Sequence, residues 1–256
     1  MSAGASRAVG AGAGGGAPRV QGLPAAGRIS LIVPVLNERE AIERLQDQLD
    51  RIGLAVHDAE AIFADGGSTD GTSEAVRAPY RLVRVDTSGR GPALNTGAAA
   101  ATGSILLFLH CDSVLPAGAL DEVRRVLSFA QAGSFGIRFD AASPVLALCQ
   151  AMSNLRVRFR HIAYGDQGLF LSRELFWRLG GFPPVPLMED YQLSLDLKEA
   201  GVRIVLARTR VVTSARRFPK GESAKLAVWL SMARLRRLYR RGTPPDKLAR
   251  LYGEVR

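Results

Sequence analysis

The sequence is poor in cysteine and has no long apolar run. Its 256 residues include two cysteines, Cys111 and Cys149, which cannot form the framework of several disulfides found in small secreted domains. This low count indicates a reducing compartment, and a cytoplasmic location is expected. No apolar run approaches the roughly 20 residues that a bilayer-spanning helix needs, so no membrane-spanning segment is predicted.

Aromatic side chains are also scarce, at 7% of residues, while the net charge is +10. Basic patches bind nucleic acid, anionic membranes or phosphate-bearing ligands, and a solvated basic surface is the simpler alternative. Nucleic-acid binders usually interleave aromatic and basic residues, but residues 225–241 contain only Trp229 and Tyr239 as aromatics. Binding to nucleic acid or to a membrane is therefore not expected, and a homo-oligomer is compatible with the sequence.

Three regions differ in composition. Residues 1–27 are rich in Ala and Gly and contain no aromatic residue, which predicts a disordered extension. Residues 28–222 have the mixed pattern of a folded domain, and residues 223–256 predict basic amphipathic helices. The length suits one domain with extensions.

The stretch at residues 104–112 reads SILLFLHCD, a continuous apolar run that ends in polar side chains. Such a run is typical of a strand buried on both faces of a parallel sheet. Shorter strands are predicted at residues 29–35, 59–64 and 81–86, with helical patterns between them that include a short helix at 73–77. Late in the chain, two more strands are predicted at residues 202–207 and 211–214. The alternation predicts an α/β fold with an open, mostly parallel sheet and helices on both faces.

Two acids, Asp65 and Asp112, follow predicted strands and so belong at the carboxyl edge of the sheet, where ligands of α/β proteins bind. Such a pair can bracket a nucleotide, one acid on the ribose or base and the other on a metal bound to the diphosphate. Gly66 and Gly67 allow close approach of the backbone. The alternatives are a turn made by Asp65 itself and capping of the next turn by Asp112.

Further charged residues lie near predicted helix ends. Glu189 and Asp190 precede a helix, so they serve either as caps or as a general base and acceptor-positioning carboxylate. His110 beside Asp112 is a candidate metal ligand, although a lone histidine is more often structural. Arg216 and Arg217 can neutralise a diphosphate leaving group, or can simply be surface charges.

Taken together, residues 29–221 resemble the family 2 glycosyltransferases of the GT-A fold. The matching motifs, in chain order, are PVLNE from Pro34, DGGSTDGT from Asp65, Arg90-Gly91 with Asn95 and Gly97, the strand ending in Asp112, and Glu189-Asp190. The resemblance implies a nucleotide-sugar donor, commonly a UDP-sugar, a divalent metal and inversion at the anomeric carbon.

The chain departs from this family pattern in three ways. The usual Asp-X-Asp metal motif is His110-Cys111-Asp112 here, which leaves Asp112 as the expected acidic ligand. Gly66 stands where many relatives have a second Asp. The Gln-X-X-Arg-Trp motif of processive synthases is missing from the sequence, so a polymer synthase is not expected.

A narrower resemblance is to a small subfamily associated with selenium metabolism. It rests on the His-X-Asp strand end, YGDQG from Tyr164, Met188-Glu189-Asp190 and TSARR from Thr213. It implies a selenosugar synthase of selenoneine biosynthesis, in which UDP-N-acetylglucosamine or UDP-glucose reacts with selenophosphate to give a 1-seleno-sugar, UDP and phosphate. The alternatives are an ordinary inverting glycosyltransferase with a hydroxyl or lipid-phosphate acceptor, and a non-catalytic nucleotide-sugar- or nucleic-acid-binding module.

The predicted site combines these motifs. Catalytic roles fall to Asp190, Glu189, Arg216 and Arg217, and Mg²⁺ or Mn²⁺ ligation to Asp112 and His110. Arg156, Arg158 and Arg160 are candidate clamps for an anionic acceptor. The residues expected to bind the nucleotide-sugar are Pro34, Asn37, Glu38, Asp65, Gly67, Ser68, Arg90, Asn95, Cys111, Asp112, Gln167 and Gly168.

Overall fold

The structure, a computed structural model, describes residues 27–87, 89–216 and 218–253. Two predictions fall outside the described residues, namely almost all of the extension at 1–27 and the role of Arg217. The division into regions at residues 27 and 222 stays a prediction.

Seven strands and eight α-helices make up the described chain, apart from a short 3₁₀ turn at Gly165–Gln167. The strands are β1 (Ile29–Val35), β2 (Ala59–Asp65), β3 (Arg81–Arg84), β4 (Ile105–Phe108), β5 (Ala132–Phe139), β6 (Leu169–Ser172) and β7 (Ile204–Thr213). The helices are α1 (Arg39–Ile52), α2 (Arg90–Ala100), α3 (Ala119–Leu127), α4 (Pro144–Arg160), α5 (Arg173–Arg178), α6 (Glu189–Glu199), α7 (Glu222–Arg240) and α8 (Pro245–Gly253).

All seven strands form one sheet in the order β3-β2-β1-β4-β6-β5-β7. The pairs β1–β2, β1–β4, β2–β3 and β5–β7 are parallel, and β6 runs antiparallel to β4 and β5. The predicted α/β class with a mostly parallel sheet is confirmed.

The sheet is central because its strands are apolar on both faces. On β1, Leu31 and Val33 pack with α1 and α3 on one side, whereas Ile32 packs with α2 on the other. All four residues of β4 are buried. Because β1, β2 and β4 are parallel neighbours, their carboxyl ends meet at one edge, as the strand pattern predicted.

The structure differs from the predicted elements near the end of the sheet. Separate strands are predicted at residues 202–207 and 211–214, but β7 is one strand. Between the pairs Ser134↔Leu206 and Gly136↔Arg210, β7 advances four residues while β5 advances two. This bulge accounts for the broken hydrophobic pattern. The helix predicted at residues 73–77 is a series of turns.

The helix α7 packs on the domain through one face. Leu235 is buried in a cluster with Ile162 and Tyr191, and the Tyr239 hydroxyl donates to Gln192 Oε1 at 2.6 Å. Among the residues that the structure describes, no helix has both the length and the apolar character that crossing a membrane requires.

Close contact between α2 and β1 generates a first prediction. A Cβ at Gly97 would lie 2.5 Å from Ile32 Cγ2 and would therefore clash inside the core. Gly→Ala inside an exposed helix stabilises by about 1 kcal/mol, but overpacking costs about 1–3 kcal/mol. We expect Gly97→Ala to lower the free energy of unfolding, as measured by urea denaturation.

The control is the double variant with Ile32→Ala, which removes the methyl group that the new Cβ would meet. We expect Gly97→Ala to cost less in that background than in the wild type. Equal costs in both backgrounds would contradict the proposed contact.

Candidate functional site

Two loops at the carboxyl edge are joined by hydrogen bonds. The Asn37 N–H donates to Ser68 Oγ at 2.9 Å, and the Thr69 N–H donates to Asn37 Oδ1 at 2.9 Å. The Glu38 N–H donates to Thr72 Oγ1 at 2.8 Å. The loop after β1 is thereby held against the loop after β2, and the two form one surface beside the end of β4.

Asp65 organises the second of these loops. Its Oδ1 accepts from the Ser68 N–H at 3.0 Å and from Ser68 Oγ, and its Oδ2 accepts from Ser73 Oγ. Burial alone would raise the pKa of Asp65, but these hydrogen bonds outweigh burial and hold the pKa below its usual range. The alternative of a turn made by Asp65 is therefore what the structure contains, and contact of this carboxylate with a nucleotide stays a prediction.

Arg90 ties the start of α2 to the start of α6. Its Nε donates to Glu189 Oε1, and its Nη2 lies 3.2 Å from Asp190 Oδ2. Its Nη1 lies 3.1 Å from His110 Nε2. Because a guanidinium can only donate, this imidazole nitrogen is the acceptor. Arg90, assigned above to the nucleotide-sugar, is engaged here by two acids and a histidine.

Opposing effects act on the charges in this cluster. Burial would lower the pKa of Arg90, but the charges of Asp190 and Glu189 outweigh burial and raise it. Burial and the Asp190 charge raise the pKa of Glu189, although Arg90 opposes the shift. The charged state of Glu189 therefore depends on Arg90.

Asp190 is held on both carboxylate oxygens. Its Oδ2 accepts from the Gly165 N–H at 2.7 Å as well as from Arg90, and its Oδ1 accepts from the Tyr191 N–H at 2.6 Å. A Cβ at Gly165 would lie 2.7 Å from His110 Nε2, so only glycine lets this turn approach the cluster. The arrangement fixes the position of the carboxylate at the start of α6.

Arg216 bridges two acids at the ends of β1 and β4. Its Nη1 donates to Glu38 Oε2 at 2.9 Å, and its Nε lies 3.0 Å from Asp112 Oδ2. Hydrogen bonding to Glu38 raises the pKa of Arg216. The predicted cation for a diphosphate thus lies against the predicted metal ligand.

The side chains of the site fit a metal ion that takes few of its ligands from the protein. Within the described ranges, no group of three or more His, Cys, Asp or Glu side chains could hold a metal by itself. Asp112 supplies a hard oxygen at the strand end, and Mg²⁺ and Mn²⁺ commonly pair one or two carboxylates with phosphate oxygens and water. His110 Nε2 faces Arg90, so Asp112 is the better-placed ligand.

Several other predicted residues have structural partners. The Asn95 amide donates to Phe182 O at 2.8 Å and accepts from the Phe182 N–H at 2.9 Å. Gln167 is buried, and Gly168 has a left-handed φ of 55°. Pro34 lies beyond the part of β1 that pairs with β4. Its lack of an N–H therefore costs no hydrogen bond between these two strands. None of these contacts tests a role in binding the donor.

Asp112 also lies in the wall of a cavity of about 160 Å³. Its wall includes His110 and Asp112, together with Arg156 of α4 and Tyr164. Trp229 and Arg236 of α7 complete one side; this contribution was not predicted from sequence. Of the three candidate clamps on α4, Arg158 and Arg160 point to solvent and Arg156 lines the cavity.

Comparison with known proteins agrees with this architecture. Residues 30–174 match the sequence model of the family described as Glycosyl transferase family 2. No curated protein matches the chain in sequence. Mannosyltransferase PcManGT from Pyrobaculum calidifontis, solved with GDP-Man and Mn²⁺, is 24% identical with a TM-score of 0.60; the alignment covers 89% of this chain and 68% of that one.

Two other solved structures are similar in fold. Glucosyl-3-phosphoglycerate synthase from Mycobacterium tuberculosis, solved with Mn²⁺, UDP and glucosyl-3-phosphoglycerate, is 23% identical with a TM-score of 0.57, covering 85% of this chain and 81% of that one. Mannosyl-3-phosphoglycerate synthase from Rubrobacter xylanophilus is 17% identical with a TM-score of 0.58, covering 84% and 75%. At these identities the likeness shows the fold.

The Arg90 cluster generates a second prediction. Arg90→Met leaves Glu189 buried beside Asp190 without a cation, and breaking such a pair costs about 3 kcal/mol. Without Arg90 the pKa of Glu189 rises further, and a protonated carboxyl tolerates burial. We therefore expect the loss in unfolding free energy to be smaller at pH 5 than at pH 8, as measured by urea denaturation.

Arg178→Met is the matched control, because Arg178 pairs with Glu174 at 3.3 Å on the surface. We expect it to cost under about 1 kcal/mol with little pH dependence. A loss at Arg90 that is no larger than this, or that does not change with pH, would contradict the cluster's role.

Proposed function

Because the chain belongs to glycosyl transferase family 2, we propose that it transfers a sugar from a nucleotide-sugar donor to an anionic acceptor, with a divalent metal and inversion at the anomeric carbon. One observation carries this proposal. Asp112 pairs with Arg216 and also lines the arginine-containing cavity. In this proposal the diphosphate binds at the bridge and the second substrate in the cavity, with the carboxylate in contact with both.

The donor is proposed to be a UDP-sugar such as UDP-glucose or UDP-N-acetylglucosamine. The loops that Asn37 and Ser68 hold together would receive the nucleoside, and Arg216 would meet the diphosphate. Arg216 already spans Glu38 and Asp112, so its guanidinium lies at the sheet edge where the phosphates of such ligands bind. Support comes from similar structures that hold GDP-Man with Mn²⁺, or UDP with Mn²⁺.

In the proposed reaction, the acceptor nucleophile forms a bond to the anomeric carbon as the bond from that carbon to the diphosphate oxygen breaks. The electron pair of the broken bond stays on the nucleoside diphosphate. A divalent metal would supply positive charge to that leaving group. Arg216 adds charge-assisted hydrogen bonds on the same side, and Asp190, held by Gly165 and Tyr191, would orient the acceptor.

The acceptor is proposed to be an anion, and two kinds remain in contention. Selenophosphate is implied by the sequence resemblance, and its nucleophile is already ionised. A hydroxyl-bearing anion is the ordinary alternative, and it is favoured by the similar synthase solved with glucosyl-3-phosphoglycerate. A hydroxyl must lose its proton to a base, for which Asp190 is the candidate.

Removing the Asp112 carboxylate tests the proposed metal-dependent binding of the nucleotide donor. We expect Asp112→Asn to weaken UDP binding in the presence of Mn²⁺ by about ten-fold or more, because a charged ligand is lost. Without metal, UDP should bind the variant at least as tightly as the wild type, because one negative charge near the diphosphate is gone. Isothermal calorimetry measures both affinities.

Asp121→Asn on the surface of α3 is the control and should change neither affinity. A loss of equal size with and without Mn²⁺ would show that Asp112 acts on folding or on the nucleotide, and not through a metal.

A panel of acceptors tests the proposal that the acceptor is an anion. Selenophosphate, 3-phosphoglycerate and neutral alcohols are each incubated with UDP-sugars, and the products are identified by mass spectrometry. We expect turnover with an anionic acceptor. With a hydroxyl acceptor, Asp190→Asn should lower the rate about 10²–10⁴-fold because a base is lost. With selenophosphate the loss should be smaller. Turnover with neutral alcohols alone would contradict the anionic acceptor.

A further inference from the structure

Two arginines contact Tyr164 at the cavity beside Asp112. The guanidinium carbon of Arg156, on α4, lies 3.5 Å from the centre of the Tyr164 ring. That of Arg236, on α7, lies 5.2 Å from the same centre. Helices that are about 80 positions apart in the chain thus place two positive charges on one aromatic ring, and both side chains line the cavity.

Neither charge is neutralised by a direct ion pair in the described part of the chain. Arg156 donates only to neutral oxygens, namely Gln167 Oε1 at 2.7 Å, Ile162 O at 3.3 Å and Ser153 Oγ at 3.5 Å. Burial lowers the pKa of Arg156 against the opposing effects of Tyr164 and Asp166, and the charge of Arg236 adds a smaller lowering. Keeping two cations together here is costly unless an anion joins them.

Two carboxylates also line the cavity, so its charges must be considered together. Asp112 is already paired with Arg216 at 3.0 Å. Asp166 also lies in the wall, and its charge opposes the lowering of the Arg156 pKa by burial. The two arginines are the guanidinium groups of this wall that can donate hydrogen bonds to an incoming anion's oxygens.

The rest of the wall is apolar. Ile137 and Phe139 of β5 contribute one part, and Val228, Trp229 and Met232 of α7 another. Binding sites for small molecules commonly combine an apolar wall with a few polar groups that fix orientation. This wall would be of no use to a bare inorganic anion, whereas it would bury the carbon skeleton of an organic one.

We propose that this cavity is the acceptor subsite and that it takes an organic phosphate, with the phosphate oxygens on Arg156 and Arg236 and the carbon body against Trp229 and Met232. Calling the ligand an acceptor rests on the proposed function, whereas the binding of an organic phosphate in this cavity does not. Because His110 and Asp112 line the same cavity, a ligand seated on the arginines presents its other end to the reacting edge.

Part of this subsite lies outside the region that matches the family model. That match ends at residue 174, whereas Trp229, Met232 and Arg236 follow it. One wall of the cavity is thus supplied by a part of the chain outside the matched region, and acceptor choice would follow from that part.

Tryptophan fluorescence gives a test that needs no donor and no turnover. The chain has two tryptophans, so Trp177→Phe leaves Trp229 as the single reporter in the cavity wall. In that background, phenyl phosphate, a short-chain phosphatidic acid, inorganic phosphate and phenol are titrated in turn. We expect saturable changes with the two organic phosphates, at affinities at least ten-fold above those for inorganic phosphate and phenol.

The arginines are then changed one at a time. Arg156→Gln and Arg236→Gln should each weaken binding of the organic phosphate about ten-fold or more, because each removes charge-assisted hydrogen bonds. Arg237→Gln, an exposed neighbour on α7, should have no effect. Circular dichroism establishes that each variant is folded. Because Arg236 lies on the outer helix α7, its variant keeps the test decisive if Arg156→Gln fails to fold.

The outcomes separate this proposal from the function it rests on. Tighter binding of phenyl phosphate than of phosphatidic acid would assign the acceptor to the soluble organic phosphates. The reverse order would assign it to the lipids. Inorganic phosphate binding as tightly as either, or equal losses for Arg236→Gln and Arg237→Gln, would overturn the subsite. Organic phosphate binding without any binding of UDP and Mn²⁺ would leave the cavity intact and overturn the glycosyl transfer.

Discussion

The contact on which most of the site depends is the one between the Arg90 guanidinium and the acids at the start of α6. Arg90 stands in the first turn of α2, where the helix dipole disfavours a positive charge. Glu189 and Asp190 stand in the first turn of α6, where negative charge is favoured. Their carboxylates compensate Arg90, and Arg90 in turn allows Glu189 to be buried. Each group is tolerable only with the other present.

As a consequence, this cluster connects residues that are far apart in the sequence. Arg90 is 99 and 100 positions from its two acids, and His110 and the turn at Gly165 join the same cluster. The ends of α2, β4 and α6 therefore cannot move independently. In the proposed reaction this cluster would hold Asp190 beside the reacting atoms, where small misplacements of orienting groups are costly in rate.

Local patterns in the sequence predicted the strands and the acidic edge because both depend on short-range rules. Buried parallel strands must be apolar, and residues that follow them fall at one edge, so Asp65 and Asp112 could be placed from the apolar runs alone. The partners of Arg90 and Asn95 could not be placed in this way. Both were assigned to the donor, and both are engaged by residues more than 80 positions away.

The residues that line the cavity could likewise be predicted from the sequence only in part. Cys149, Ser153 and Arg156 follow one another at helical spacing, so the sequence alone could have separated Arg156 from Arg158 and Arg160. It could not show that α7 covers this face, since that depends on tertiary packing of Leu235 against Ile162 and Tyr191. The hydrogen-bonded sheet fixes the acids at its carboxyl edge, whereas helix packing shapes the cavity lined by Arg156 and Arg236. The region that matches the family contains both acids of this edge but only part of the cavity wall, so the family match bears more on the proposed donor site than on the proposed acceptor subsite.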